Sequence, residues 1–183
     1  MQRILEISPS CRARIAGALY VLSVAAAVIA EFFARGRFGV AGVFIPVLGY
    51  AAVTLLLYEI LKLVQRSTAL VAAACGLAGL TLEALRWQPG HVNAAMVLHG
   101  VFCLLIGYLM MRSSFLPRLF GALMIFAGFL WLLDLSPALA KQMSPYNTAL
   151  GLLGEALPML WLLGMGIHVE PRRAPAGAVQ ECQ

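Results

Sequence analysis

Glu155, His99, Glu83, Asp134 and Glu31 are the residues of this 183-residue chain whose types and surroundings could do chemistry. Each is an ionisable side chain inside, or at the edge of, a long apolar run. A charged group at the centre of a membrane helix costs roughly 2.5–3.5 kcal/mol on insertion scales, so each needs a partner or a use. At about 1.5 Å per helical residue, Asp134 and Glu31 lie about 3–5 Å below the outer surface, and Glu83 about 6 Å. His99 then lies about 10 Å deep and Glu155 about 12 Å, approaching the midplane. Five such groups from five helices can line one polar pocket open to the outside, suited to a small or cationic ligand that is bound or passed on. They also suit an intramembrane enzyme, with Glu155 as general acid and His99 or Asp134 as its partner. Isomerase, cyclase or hydratase chemistry on a lipid-soluble substrate would need nothing more. A plainer use exists for three of the acids: Glu31, Glu83 and Asp134 stand near Arg35, Arg86 and Lys141 and can pair with them at the interface. Glu83 and Arg86 are three apart on one helical face. Glu155 and His99 have no such loop partner.

The other chemically capable residues read as structural. Cys11, Cys75, Cys103 and Cys182 form no Cys-x-x-Cys pair, and two of them lie inside apolar runs, so they read as packing residues and a tail thiol. No metal and no cofactor is expected: a single buried histidine is weak support for a metal, and no P-loop, H-E-x-x-H or G-x-S-x-G occurs. Trp87, Trp131 and Tyr146 read as interfacial aromatics, and Tyr50 and Tyr108 as interfacial anchors with hydroxyls within reach of a cavity. Glu59, three residues before Lys62, reads as a snorkelling or ion-paired interfacial acid.

The elements that must position these groups follow from composition. The chain is 62% hydrophobic and 11% charged, where soluble domains run at about 25% charged. That much apolar surface has to face lipid. The expected fold is an all-α polytopic bundle of six transmembrane helices at about 15–34, 38–63, 67–87, 92–111, 119–136 and 147–168, since only helices satisfy their backbone within one segment in lipid. The first run reads as a retained helix rather than a cleavable signal. Residues 1–168 read as one membrane domain and 169–183 as a disordered tail. With the N-terminus inside, only Arg35, Arg37, Arg86 and Lys141 of the 13 basic residues fall outside, which puts both termini in the cytoplasm. The net charge of +5 is spread over short loops, so nucleic acid is not an expected partner; lipid is, and so is a small or lipid-soluble ligand. A second copy of the chain is an open one.

Small residues recur in the spans. Gly100 with Gly107, and Gly121 with Gly128, each lie near one face, which suits close helix approach. A third reading, an accessory membrane subunit, would use such faces against another protein. Pro158 cannot donate to the carbonyl of Gly154, so a kink or freed carbonyl is expected beside Glu155. Arg14, Arg66 and Arg118 are evenly spaced at the inner starts of odd-numbered helices, each followed by an acid near the far end (Glu31, Glu83, Asp134). This admits three repeated helix hairpins; positive-inside bias alone also accounts for it.

The stretch Gly107-Tyr-Leu-Met-Met-Arg-Ser-Ser-Phe-Leu-Pro-Arg-Leu-Phe-Gly121 resembles a bacterial integral-membrane family, domain of unknown function 4386. Glu155 followed by Trp161-Leu-Leu163, and the Arg14 to Tyr20 start, fit the same resemblance. It implies a multi-helix protein of the bacterial inner membrane and no particular activity.

Overall fold

The computed structural model describes residues 9–33, 39–87 and 92–166, the side chains of 9, 30–33 and 39–43 excepted. The described residues form seven helices and no strand: α1 (Pro9–Phe33), α2 (Gly39–Leu61), α3 (Arg66–Ala84), α4 (Ala94–Arg112), α5 (Arg118–Leu132), α6 (Pro137–Met143) and α7 (Tyr146–Met165). All but α6 are long and apolar enough to cross a membrane. Their outward faces carry large apolar side chains such as Leu22, Ile45, Leu48, Leu70, Leu119, Phe129 and Leu160. An unbroken apolar exterior of this kind needs lipid around it. The chain is a multi-pass membrane protein with the six expected spans. The expected tail at 169–183 lies outside the described residues.

Two boundaries differ from the expectation. The first run was expected from 15, but α1 starts at Pro9 and takes in Arg12 and Arg14. Bilayer thickness limits the apolar part of a helix, not the helix itself. The fifth span was expected to run to 136, but α5 ends at Leu132 and a 3-10 turn follows at Leu133–Leu135. The short α6 lies between the last two expected spans, with Pro137 at the first helical position where its missing N–H costs nothing. Elsewhere the ends carry ordinary signals. The Asn93 side chain accepts from the Met96 amide at 3.4 Å and opens α4. Gly166, at φ 65°, ends α7 in a conformation that glycine adopts without a Cβ clash. Pro46 and Pro158 both lie within continuous helices.

Each spanning helix packs on its chain neighbours, and α7 returns to α1, so the helices close into a ring. α2 and α4 also touch directly, which leaves α3 on their shared outer side. The buried face of α3 explains this position: Ala69, Ala72, Ala73, Gly76 and Gly79 leave room for neighbouring helices and bring no large group inward. α4 and α5 approach each other backbone to backbone. A Cβ on Gly107 would stand 2.7 Å from the Gly121 carbonyl oxygen, and one on Gly100 2.9 Å from that of Gly128. The two glycine pairs read from the sequence therefore face each other as a zipper. Gly17 does the same for α1 against Met159 and Leu163 of α7. Gly17, Ala69 and Gly121, each three residues after Arg14, Arg66 and Arg118, are all buried at helix contacts.

Since consecutive spans alternate in direction, one side of the bundle gathers Arg12, Arg14, Lys62, Arg66, Arg112 and Arg118. There Glu59 sits 2.7 Å from Lys62 through both oxygens and 3.3 Å from Arg12. It is the ion-paired interfacial acid expected of it. Arg112 donates to the Tyr108 hydroxyl at 2.8 Å on the same side.

Candidate functional site

Glu155 lies at mid-length in α7, on the face that carries Gly151, Gly154, Pro158 and Met159 into the bundle. Only 1% of it is exposed. Both carboxylate oxygens are engaged. Tyr50 of α2 donates its hydroxyl to Oε2 at 2.8 Å. Trp131 of α5 donates Nε1–H to Oε1 at 2.5 Å. Oε1 also lies 2.9 Å from His99 Nε2 and 3.5 Å from Cys103 Sγ, both of α4. His99 and Cys103 are four residues apart and share one helical face, which puts Sγ 3.6 Å from Nε2.

Aromatic rings wall this cluster. Tyr50 and Trp131 meet the His99 imidazole edge-on, with centroids 5.2 and 5.7 Å away, and Phe102 lies at 5.8 Å. Tyr20 of α1 packs on Tyr50 at 5.8 Å. Its hydroxyl is buried and makes no hydrogen bond of ordinary geometry among the described residues. The His99 side chain keeps 17% of its surface exposed against 1% for Glu155, so His99 is the more accessible member of the pair.

Electrostatically the site is unusual for a membrane interior. A carboxylate buried in a low dielectric needs positive charge or dense hydrogen bonding. Glu155 has the hydrogen bonds, and no lysine or arginine bonds to it among the described residues. Among the described residues, His99 is the one side chain able to carry a positive charge in contact with it. The contact needs one proton, on Nε2 or on the carboxyl. The arrangement can hold a cation, exchange a proton, or present donor atoms to a metal.

Of the four acids and one histidine singled out in the sequence, the structure brings Glu155 and His99 together. Glu83 is exposed on α3, on the outer side of α2 and α4. Asp134 is partly exposed in the 3-10 turn after α5. Neither shares a hydrogen bond or ion pair with the cluster among the described residues. Glu31 lies in the last turn of α1, and its side chain is outside the described residues. Three groups read as structural in the sequence belong to the cluster instead: Trp131 and Tyr50, taken as interfacial aromatics, and Cys103, taken as packing. Tyr20 was not singled out at all. The usable signal was spacing: Cys103 follows His99 by one helical turn, and a buried carboxyl must find donors at its own depth.

Residues 80–166 match the family described as Domain of unknown function (DUF4386). The resemblance read from Gly107–Gly121 and from Glu155 is therefore shown over this segment. The DUF4386 segment holds α4 to α7, and with them His99, Cys103, Trp131 and Glu155; Tyr20 and Tyr50 come from outside it. The family description names no activity. No curated protein and no solved structure matches the chain.

Proposed function

We propose that this protein binds a small cation or cationic ligand at Glu155 and His99, in a polar pocket reached from the outer face of a bacterial inner membrane, with both termini cytoplasmic. One observation carries the reading: a carboxyl 1% exposed, 2.9 Å from a histidine, with no lysine or arginine bonded to it among the described residues. Burying an ion costs several kcal/mol unless opposite charge comes with it. A protonated His99 supplies that charge. With His99 neutral, a bound cation supplies it. Access from the outer face rests on two features: the partial exposure of His99, and the gathering of basic residues at the opposite end of the bundle, which marks the cytoplasmic side.

Thermal unfolding of the detergent-purified protein, with sodium, potassium, magnesium, zinc or a small organic ammonium ion added, tests this reading. At least one cation is expected to raise Tm with rising concentration; a ligand at 100 times its Kd stabilises by about 2.7 kcal/mol. Glu155→Gln and His99→Ala are expected to lose that shift. Equal shifts in the variants and the natural chain, or no shift with any cation, would overturn it.

A further inference from the structure

We infer that the cation is a divalent metal ion of borderline softness, of the zinc class, held by His99 Nε2, Cys103 Sγ and Glu155 Oε1. This rests on the cation-binding reading above and narrows it to one ligand chemistry. The three donor atoms lie within 4.8 Å of one another. Their separations are 2.9 Å for nitrogen to oxygen, 3.6 Å for sulfur to nitrogen and 3.5 Å for sulfur to oxygen. A tetrahedral zinc ion with ordinary bond lengths places such donors at about 3.4, 3.6 and 3.6 Å respectively. Both sulfur edges already have the length the metal requires. The nitrogen–oxygen edge is shorter, as a hydrogen-bonded pair is, and it opens by about 0.5 Å when a divalent metal displaces the bridging proton and the Cys103 thiol proton to solvent.

Charge and surroundings agree with this assignment. A thiolate, a carboxylate and a neutral imidazole around a divalent ion sum to no net charge, the least costly state for a site inside a membrane. A monovalent cation on the same donors leaves a negative charge there. The mixed nitrogen, sulfur and oxygen set favours zinc-class ions over magnesium or calcium, which take oxygen ligands. Trp131 and Tyr50 donate to the two oxygens of Glu155 and fix its orientation, as outer partners of metal-binding carboxylates do. Three protein donors leave a fourth position for water or a small ligand, the pattern of zinc sites that exchange or react rather than only brace a fold. The buried Tyr20 side chain, 2% exposed and packed on Tyr50, is a neighbour such a ligand would meet: its hydroxyl makes no hydrogen bond of ordinary geometry among the described residues. A group on the metal gives it one.

Cobalt(II) is the probe, added to the full-length protein in detergent. One cobalt per chain is expected, with a sulfur-to-cobalt charge-transfer band in the near ultraviolet that zinc abolishes by competition. Cys103→Ser is expected to remove the band and weaken binding at least tenfold; Cys103→Ala serves if the serine variant folds poorly. Cys75→Ser is expected to keep the band. No band in the natural chain, or equal cobalt affinity in Cys103→Ser, would overturn the metal assignment. If a monovalent or organic cation then still stabilises the protein in a Glu155-dependent way, the broader cation reading stands. If no cation does, both fail together.

Discussion

Glu155 draws three other helices onto one side chain: α2 through Tyr50, α4 through His99 and Cys103, and α5 through Trp131. Deleting the Tyr50 hydroxyl leaves buried Oε2 without its partner, and deleting the Trp131 N–H takes a donor from Oε1; each costs about 1–3 kcal/mol. Trp131→Phe and Tyr50→Phe are each expected to lose stability on that scale, read as a lower Tm in detergent and weaker cation stabilisation. Trp161→Phe provides the contrast, since Trp161 packs on Phe120 and does not bond to Glu155; it is expected to leave cation stabilisation unchanged. At this scale the sequence was only partly legible. Depth singled out Glu155 and His99, because an ionisable group far from any loop has few structural uses. It misled for Trp131 and Tyr50. Trp131 lies near the end of α5, where aromatic residues commonly meet the headgroups, and Tyr50 lies at mid-length of α2, where a hydroxyl can also serve as packing. Which way such a residue points depends on the rotation of its helix. The spans are apolar nearly all round, so no polar stripe sets that rotation.

Between elements, close packing is carried by backbone approaching backbone. Gly121 sits 2.7 Å, measured from where its Cβ would be, from the Gly107 carbonyl oxygen. Gly121→Ala therefore forces α4 and α5 apart and is expected to destabilise by about 1–3 kcal/mol. Because α4 carries His99 and Cys103 and α5 carries Trp131, the same change is expected to weaken cation binding. Gly164→Ala, with nothing within 4 Å of the new methyl, is expected to be neutral or to stabilise by up to about 1 kcal/mol. Comparing the two variants by thermal unfolding separates a packing role from helix propensity. The spans themselves were legible because lipid imposes both their length and their apolar character. α6 was not, since a seven-residue helix in an interfacial loop has no such constraint.

The whole molecule is a ring whose basic side gathers arginines and lysines and whose opposite half holds the buried cluster. Alkaline phosphatase fused after Gln142 is expected to be active in a bacterial host, and a fluorescent protein fused after Gln183 to fluoresce; the reverse result would invert the topology. The proposed orientation rests on the basic residues, because short positively charged loops stay in the cytoplasm. Closure of α7 onto α1, and the displacement of α3 to the outside, depend on which small residues meet which, and one sequence does not reveal those pairings. That displacement is also why Glu83 does not join Glu155. It stands exposed near the far end of α3, on the outer side of α2 and α4.

Order of synthesis bears on the same carboxyl. α7 is the last of the six spans to be made, and it alone carries an acid at its centre. By the time it leaves the ribosome, Tyr50, His99, Cys103 and Trp131 are already in the bilayer. The span hardest to insert thus enters beside waiting hydrogen-bond donors instead of bare hydrocarbon, and none of the earlier helices has to hold a carboxylate at mid-depth while the chain is incomplete.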